Sequence, residues 1–218
     1  MSSLNNDNSN KSNMNNSSNF EKDENISEVL KIESDNSKHA ARNAAYVGLF
    51  ATLVMVGAFI KIPIPIIPFT LQFLFVALAG LLLGAKLGGL SVFIYVALGL
   101  IGLPIFTAGG GPGYVFYPTF GYLIGFIVNA IVTGFISKKL KANTKNYFLS
   151  AFIGLLVLHS IGIPYYYIIS KFVIENGLSF YQIFLFCFVY TVPVDILLSF
   201  VAARLALRLK GVLFKEQI

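Results

Sequence analysis

One carboxyl, one imidazole and one amide stand out in this sequence because each lies inside an apolar run: Asp195 in FVYTVPVDILLSF, His159 in IGLLVLHSIGI and Asn129 in YLIGFIVNAIVTG. Polar groups in such surroundings are costly unless they find partners, which makes them functional candidates by default. Asp195 is the strongest of the three, as the only acid predicted within an apolar helix. Pro193 just before it removes a backbone donor and can kink that helix. The chemistry on offer is hydrogen-bonded recognition of a small polar molecule. The bland alternatives are an Asp195–His159 pair, and Asn129 as interhelical glue. Gln72, beside Thr70 at the start of another apolar run, suits either a helix cap or a ligand contact. Tyr95, Tyr122 and the Tyr165-Tyr166-Tyr167 run suit an interfacial belt or a ligand wall.

Catalytic supply is thin. Gly80-Leu81-Leu82-Leu83-Gly84-Ala85-Lys86 lacks the spacing of a phosphate-binding loop, and neither H-E-x-x-H nor G-x-S-x-G occurs. Cys187 is the single cysteine, which excludes an internal disulfide framework and any multi-cysteine metal site. No cofactor and no metal are expected, ATP hydrolysis would have to come from a partner, and binding with transport is the better class than enzyme.

The elements that must position these residues follow from composition. Of 218 residues 56% are hydrophobic and 12% charged, too apolar for an ordinary soluble domain. Seven of the ten acids precede His39. Residues 1–38, rich in Asn, Ser, Lys and Glu, read as a disordered polar cytoplasmic tail, and 39–218 as an all-α membrane domain. Apolar runs between Gly, Pro and charged breaks predict six transmembrane helices near 40–62, 69–84, 88–103, 118–137, 147–170 and 181–208.

The cations test that parsing. Five Lys/Arg lie through Arg42, one is Lys86, four fall in 138–145 and four in 204–215, fourteen on one side against Lys61 and Lys171 on the other. The positive-inside rule therefore puts both termini in the cytoplasm. It also explains the +6 net charge without nucleic acid. On this parsing Asn129, His159 and Asp195 lie about 14–21 Å below the outer edge of the bilayer core and can share one layer.

Two outward loops are unusual. Residues 61–68, KIPIPIIP, are stiff and apolar, whereas Pro104-Ile105-Phe106-Thr107-Ala108-Gly109-Gly110-Gly111-Pro112-Gly113 is permissive and lets backbone approach a ligand closely. Together they suggest a lid over a pocket. The first helix carries a broad small-residue side, Ala40, Ala41, Ala44, Ala45, Gly48, Ala51 and Thr52, that suits docking of another membrane subunit.

The stretch from GAFIKIPIPIIPFTLQ through GLIGLPIFTAGGGPG, then YPTFGYLIGF and VPVDILLSFVAARLA, resembles the BioY family, the biotin-binding S components of energy-coupling factor (ECF) transporters. The resemblance runs from the first helix to the C-terminus. It implies a six-helix S component in the cell membrane that captures biotin from outside and associates with a transmembrane scaffold subunit and two ATPase subunits. It also implies substrate beneath the outer loops, and scaffold docking through an A-x-x-x-A pattern matched by Ala41 and Ala45.

On that resemblance Asp195 accepts from the ureido N–H groups of biotin, and Asn129 or a tyrosine serves the ureido carbonyl. Phe106 and Tyr122 wall the ring, and the amides of Gly109, Gly110 and Gly111 meet the carboxylate as an anion nest. Gln72 and His159 complete the expected set. The chain departs from the family pattern at Leu198, where a basic residue is expected, and at Tyr117 and Phe120 within YPTFGY. A different small vitamin-like substrate is the alternative those departures suggest. An autonomous proton-coupled carrier using Asp195 and His159 ranks lower, and an intramembrane enzyme lower still.

Overall fold

The computed structural model describes residues 4–62, 69–174 and 178–213. The described residues form helices, connecting loops and two short paired strands. It comprises α1 (Leu4–Phe59), β1 (Lys61–Ile62), β2 (Phe69–Thr70), α2 (Gln72–Ile101), a 3-10 turn (Pro112–Phe116), α3 (Phe120–Lys139), α4 (Thr144–Phe172), α5 (Phe180–Phe184), a π-helical turn (Leu185–Val189) and α6 (Val192–Leu213). Five stretches are long and apolar enough to cross a membrane, Glu33–Phe59, Gln72–Ile101, Phe120–Lys139, Thr144–Phe172 and Phe180–Gly211. Large apolar side chains stay exposed along them, among them Phe93, Phe135, Phe172 and Leu197, with Ile101 reaching 80%, as expected where lipid replaces water.

Two compact units divide the chain, 1–45 and 46–218. In the first, α1 is helical from Leu4 onward, so the stretch that composition reads as a disordered tail is drawn as helix. By composition residues 1–38 are dominated by Asn and Ser, which favour caps and turns over helix interiors.

In the second unit α2 is the element that sequence and structure describe differently. Two helices, 69–84 and 88–103, are expected, and a single helix Gln72–Ile101 is assigned, with Gly84 at φ 78, ψ −176 inside it. The two descriptions meet in the geometry. A Cβ placed on Gly88 would lie 2.7 Å from the Ala79 carbonyl oxygen, although nine residues of straight helix rise about 13.5 Å. Gln72 Nε2 donates to Tyr95 Oη at 2.9 Å, across what would be about 34 Å of straight helix. The chain therefore doubles back at Gly84, in a backbone region open essentially to glycine alone, and 72–83 and 85–101 form a tight hairpin.

α3 packs along this hairpin and against α4. Small residues set the spacing: Gly80 approaches the Ala130 carbonyl and Gly134 approaches Gly84 and Ala85. α3 ends in Lys138 and Lys139, cations suited to the negative end of the helix dipole. The Asn143 side chain caps α4 by accepting from the Asn146 amide at 2.8 Å. Both helices match the expected spans 118–137 and 147–170 to within three residues.

The last expected helix, 181–208, is broken instead. Ser179 and Gln182 form a capping box at the start of α5, the ladder then widens, with the Tyr190 amide reaching Leu185 O at 3.2 Å, and α6 restarts at Val192. Pro193, which brings no N–H to the ladder, lies at this restart.

Candidate functional site

A cavity of about 610 Å³, counting its open side, lies wholly within the 46–218 unit. Its apolar walls include Phe69, Phe73, Leu123, Phe126 and Leu158. Its polar groups fall into two sets.

The first set is built where α4 meets α6. Asp195 and His159 are 5% and 3% exposed, and His159 Nε2 lies 3.9 Å from Asp195 Oδ2. His159 Nδ1 faces the Leu155 carbonyl at 3.1 Å, an acceptor only, which places a proton on Nδ1. Nε2 is left facing Thr191 Oγ1 at 3.2 Å. Thr191 in turn donates to the Cys187 carbonyl at 2.7 Å, so the π-helical turn fixes the position of the hydroxyl beside the imidazole. The Asp195 amide bonds the Thr191 carbonyl at 3.1 Å. The Tyr122 ring stands edge-on to His159, with centroids 5.8 Å apart, and packs on Gly162. Its buried hydroxyl lies beside the Cys187 thiol.

The second set comes from the loop after α2. Thr107 Oγ1, Tyr114 Oη and Thr119 Oγ1 form a chain of hydroxyls with two contacts of 3.1 Å, and all three residues line the cavity. Phe106 is buried behind them, its ring against Tyr114 at 4.5 Å and Tyr95 at 5.5 Å, filling the space over Gly99. Between the sets stands Gln72. Its Oε1 accepts from Thr70 at 3.3 Å and its Nε2 donates to Tyr95, whose hydroxyl donates to the Ile105 carbonyl at 3.2 Å. Gln72 lines the cavity and does not cap its helix.

Of the residues singled out from sequence, Asp195, His159, Tyr122 and Gln72 come together here. Phe106 supports the wall without reaching the cavity. Asn129 does not join them. It continues the Tyr122–Phe126 stripe of α3 one turn further, accepts from Thr133 Oγ1 at 3.1 Å, and lies against Gly154, about 7.5 Å of helix rise from His159. Depth counted along separate helices missed this because the small Gly154 draws α3 and α4 together and turns that face onto α4.

The glycine run is also used differently. Gly111 N donates to Gly99 O at 2.7 Å and Gly109 N to Phe106 O at 3.3 Å, while Gly110 is crowded by the Leu103 carbonyl. Two of the three amides expected to cradle a carboxylate are thus spent inside the protein, one on α2 and one within the loop itself. Leu198 packs on the core.

The proline-rich residues 63–68 lie outside the described residues, and with them half of the expected lid. Ala41 and Ala45 belong to the 1–45 unit and are exposed on α1. Among the described residues no cluster of three or more His, Cys, Asp or Glu could hold a metal ion.

Sequence reasoning missed Thr107, Tyr114, Thr119 and Thr191. For Thr191 a signal existed: it precedes Asp195 by four residues and so shares its helix face.

Residues 27–214 match the profile of the BioY family. The chain belongs to the BioY family. Among its BioY relatives, a protein from Lysinibacillus sphaericus named probable biotin transporter BioY is 45% identical over 164 residues, covering 75% of this chain and 84% of that protein. The biotin transporter BioY of Thermotoga maritima is 40% identical over 166 residues, covering 75% and 92%. The fold is similar to the crystal structure of the S-component for biotin from an ECF-type ABC transporter, with a TM-score of 0.70 at 26% identity, covering 80% of this chain and 93% of that one. The helix hairpin, the broken last helix and the cavity between them therefore belong to a BioY protein.

Proposed function

We propose that this protein is the biotin-capturing S component of an ECF-type transporter in the cell membrane. The observation that carries the reading is the mostly apolar cavity that gathers Asp195, His159 and the buried Tyr122 hydroxyl in a chain of the BioY family. Biotin presents two ureido N–H donors, one carbonyl acceptor and an apolar sulfur ring. Asp195 accepts from the N–H groups, with the His159 imidazole beside it at 3.9 Å. Tyr122 donates to the ureido carbonyl. Phe126, Leu158 and Phe73 enclose the ring, whose burial is the main favourable term.

Residues 39–218 form the substrate-binding domain, with 1–38 a cytoplasmic tail outside it. Counting the two arms of α2 separately gives six helical segments, the shorter arm, 72–83, being about 18 Å long, and with the chain doubling back there fourteen of sixteen Lys/Arg fall on one side, which supports cytoplasmic termini. Delivery inward needs an energy source this chain lacks the motifs to supply. A membrane scaffold subunit carrying two ATPase subunits is the partner, docking on the Ala41 and Ala45 face of α1, where small side chains allow close helix approach.

Calorimetric titration of biotin into detergent-purified protein tests the reading, with dethiobiotin, lipoate and thiamine as competitors. Saturable submicromolar binding at one site, displaced by dethiobiotin and not by thiamine, is expected. A folded sample that ignores biotin and binds lipoate or thiamine would overturn it.

A further inference from the structure

The described residues lining the cavity include one carboxyl, Asp195, and no lysine or arginine. A ligand that carries its own carboxylate would enter such a cavity with its charge uncompensated, which is expensive away from water. On the topology proposed above, only Lys61 and Lys171 of the sixteen Lys/Arg lie on the outer side. Lys171 is engaged elsewhere, its Nζ at 3.2 Å from Tyr167 Oη and 5.4 Å from the Tyr167 and Phe172 ring centroids, and none of these residues lines the cavity.

Lys61 is tied to the cavity twice, by independent features. In the β1–β2 pair Lys61 is directly opposite Thr70, and residues opposite one another in an antiparallel pair present their side chains on the same face about 5 Å apart; Thr70 lines the cavity. Lys61 Nζ also donates to the Thr107 carbonyl at 3.1 Å, and Thr107 lines the cavity as well. One of three ammonium donors is used there. The other two are free to turn toward a ligand, beside the hydroxyl chain of Thr107, Tyr114 and Thr119 that can serve a second oxygen.

We propose that Lys61 is the cation at the cavity mouth that receives the carboxylate of the captured molecule and sets the preference for anionic over neutral ligands. The carboxylate in question is that of the biotin reading above, on which this inference rests. The arrangement separates the two ends of the ligand: the ureido ring goes to Asp195 and the acid tail to Lys61. It also makes capture sensitive to salt, since a charge at the rim is screened more than a buried one.

Biotin and biotinamide, which share every ring atom and differ in the charge of the tail, are titrated into the full-length protein and into Lys61→Met, Lys61→Arg and Lys171→Met. The wild type is expected to favour biotin by about tenfold or more, the scale of one charge-assisted hydrogen bond. Lys61→Met should bring biotin down to the level of biotinamide, Lys61→Arg should keep the preference, and Lys171→Met should leave it unchanged. Equal wild-type affinity for both ligands, or an undiminished preference in Lys61→Met, overturns the role of Lys61 and leaves the biotin reading standing. A folded wild type that binds neither ligand overturns the biotin reading, and Lys61 with it.

Discussion

Asp195 and Asn129 looked alike in the sequence, each a polar side chain inside an apolar run, and the structure gives them different work. Asp195 faces the cavity with His159 at 3.9 Å. Replacing it with alanine removes the acceptor for the ligand and leaves His159 held by Leu155 and Thr191. We expect Asp195→Ala to lower biotin affinity by roughly a hundredfold, with the helical circular dichroism signal unchanged; unaltered calorimetric affinity would remove Asp195 from the site. Asn129 is fully buried against Gly154 and Thr133. Asn129→Ala should therefore leave affinity within about twofold while costing stability of about 1–3 kcal/mol, the scale for a disrupted buried polar contact. Thermal unfolding with and without biotin separates the two effects, and a large affinity loss at intact stability would move Asn129 into the site.

At the scale of elements, α3 and α4 were legible because each is one long apolar run bounded by charged or capping residues. The hairpin was legible as two runs divided near Gly84, Lys86 and Gly88, although what closes it, a glycine-only backbone angle and the seating of Gly88 on Ala79, is a tertiary matter. The break before α6 was the least visible feature. FLFCFVYTVPV reads as uninterrupted apolar helix, and only Pro193 hints that the ladder shifts ahead of Asp195. The hydroxyl chain of Thr107, Tyr114 and Thr119 was hidden for a related reason: its members come from a loop with no periodicity, and only folding onto Gly99 lines them up. The hairpin yields a prediction of its own. At Gly84 the Lys138 side-chain terminus occupies the place of a Cβ and can swing aside, so Gly84→Ala should show mainly the backbone cost, about 1–3 kcal/mol. Gly88→Val meets the rigid Ala79 backbone and should be worse, with loss of monodisperse protein on size exclusion. If both variants match the wild type in melting temperature, the chain does not fold back at Gly84.

For the whole molecule, topology is the property on which capture from outside depends, and the lone cysteine makes it measurable. Cys187 is fully buried, so the wild type gives little background with a membrane-impermeant maleimide. Single cysteines at Tyr117, in the loop leading to α3, and at Lys141, between α3 and α4, sit at opposite ends of one helix and are both exposed. In intact cells Tyr117→Cys should label at once and Lys141→Cys only after permeabilisation; the reverse pattern would put the cavity mouth on the cytoplasmic side and exclude capture from outside. The same orientation separates binding from delivery. Neither Ala41 nor Ala45 lines the cavity, so leucine at both positions should leave biotin affinity of the purified protein unchanged and abolish ATP-driven uptake, with loss of the scaffold subunit on copurification. Retained uptake in that double variant would place the docking face elsewhere on the molecule, because two bulky side chains on a face that needs close helix approach cannot be accommodated without separating the helices.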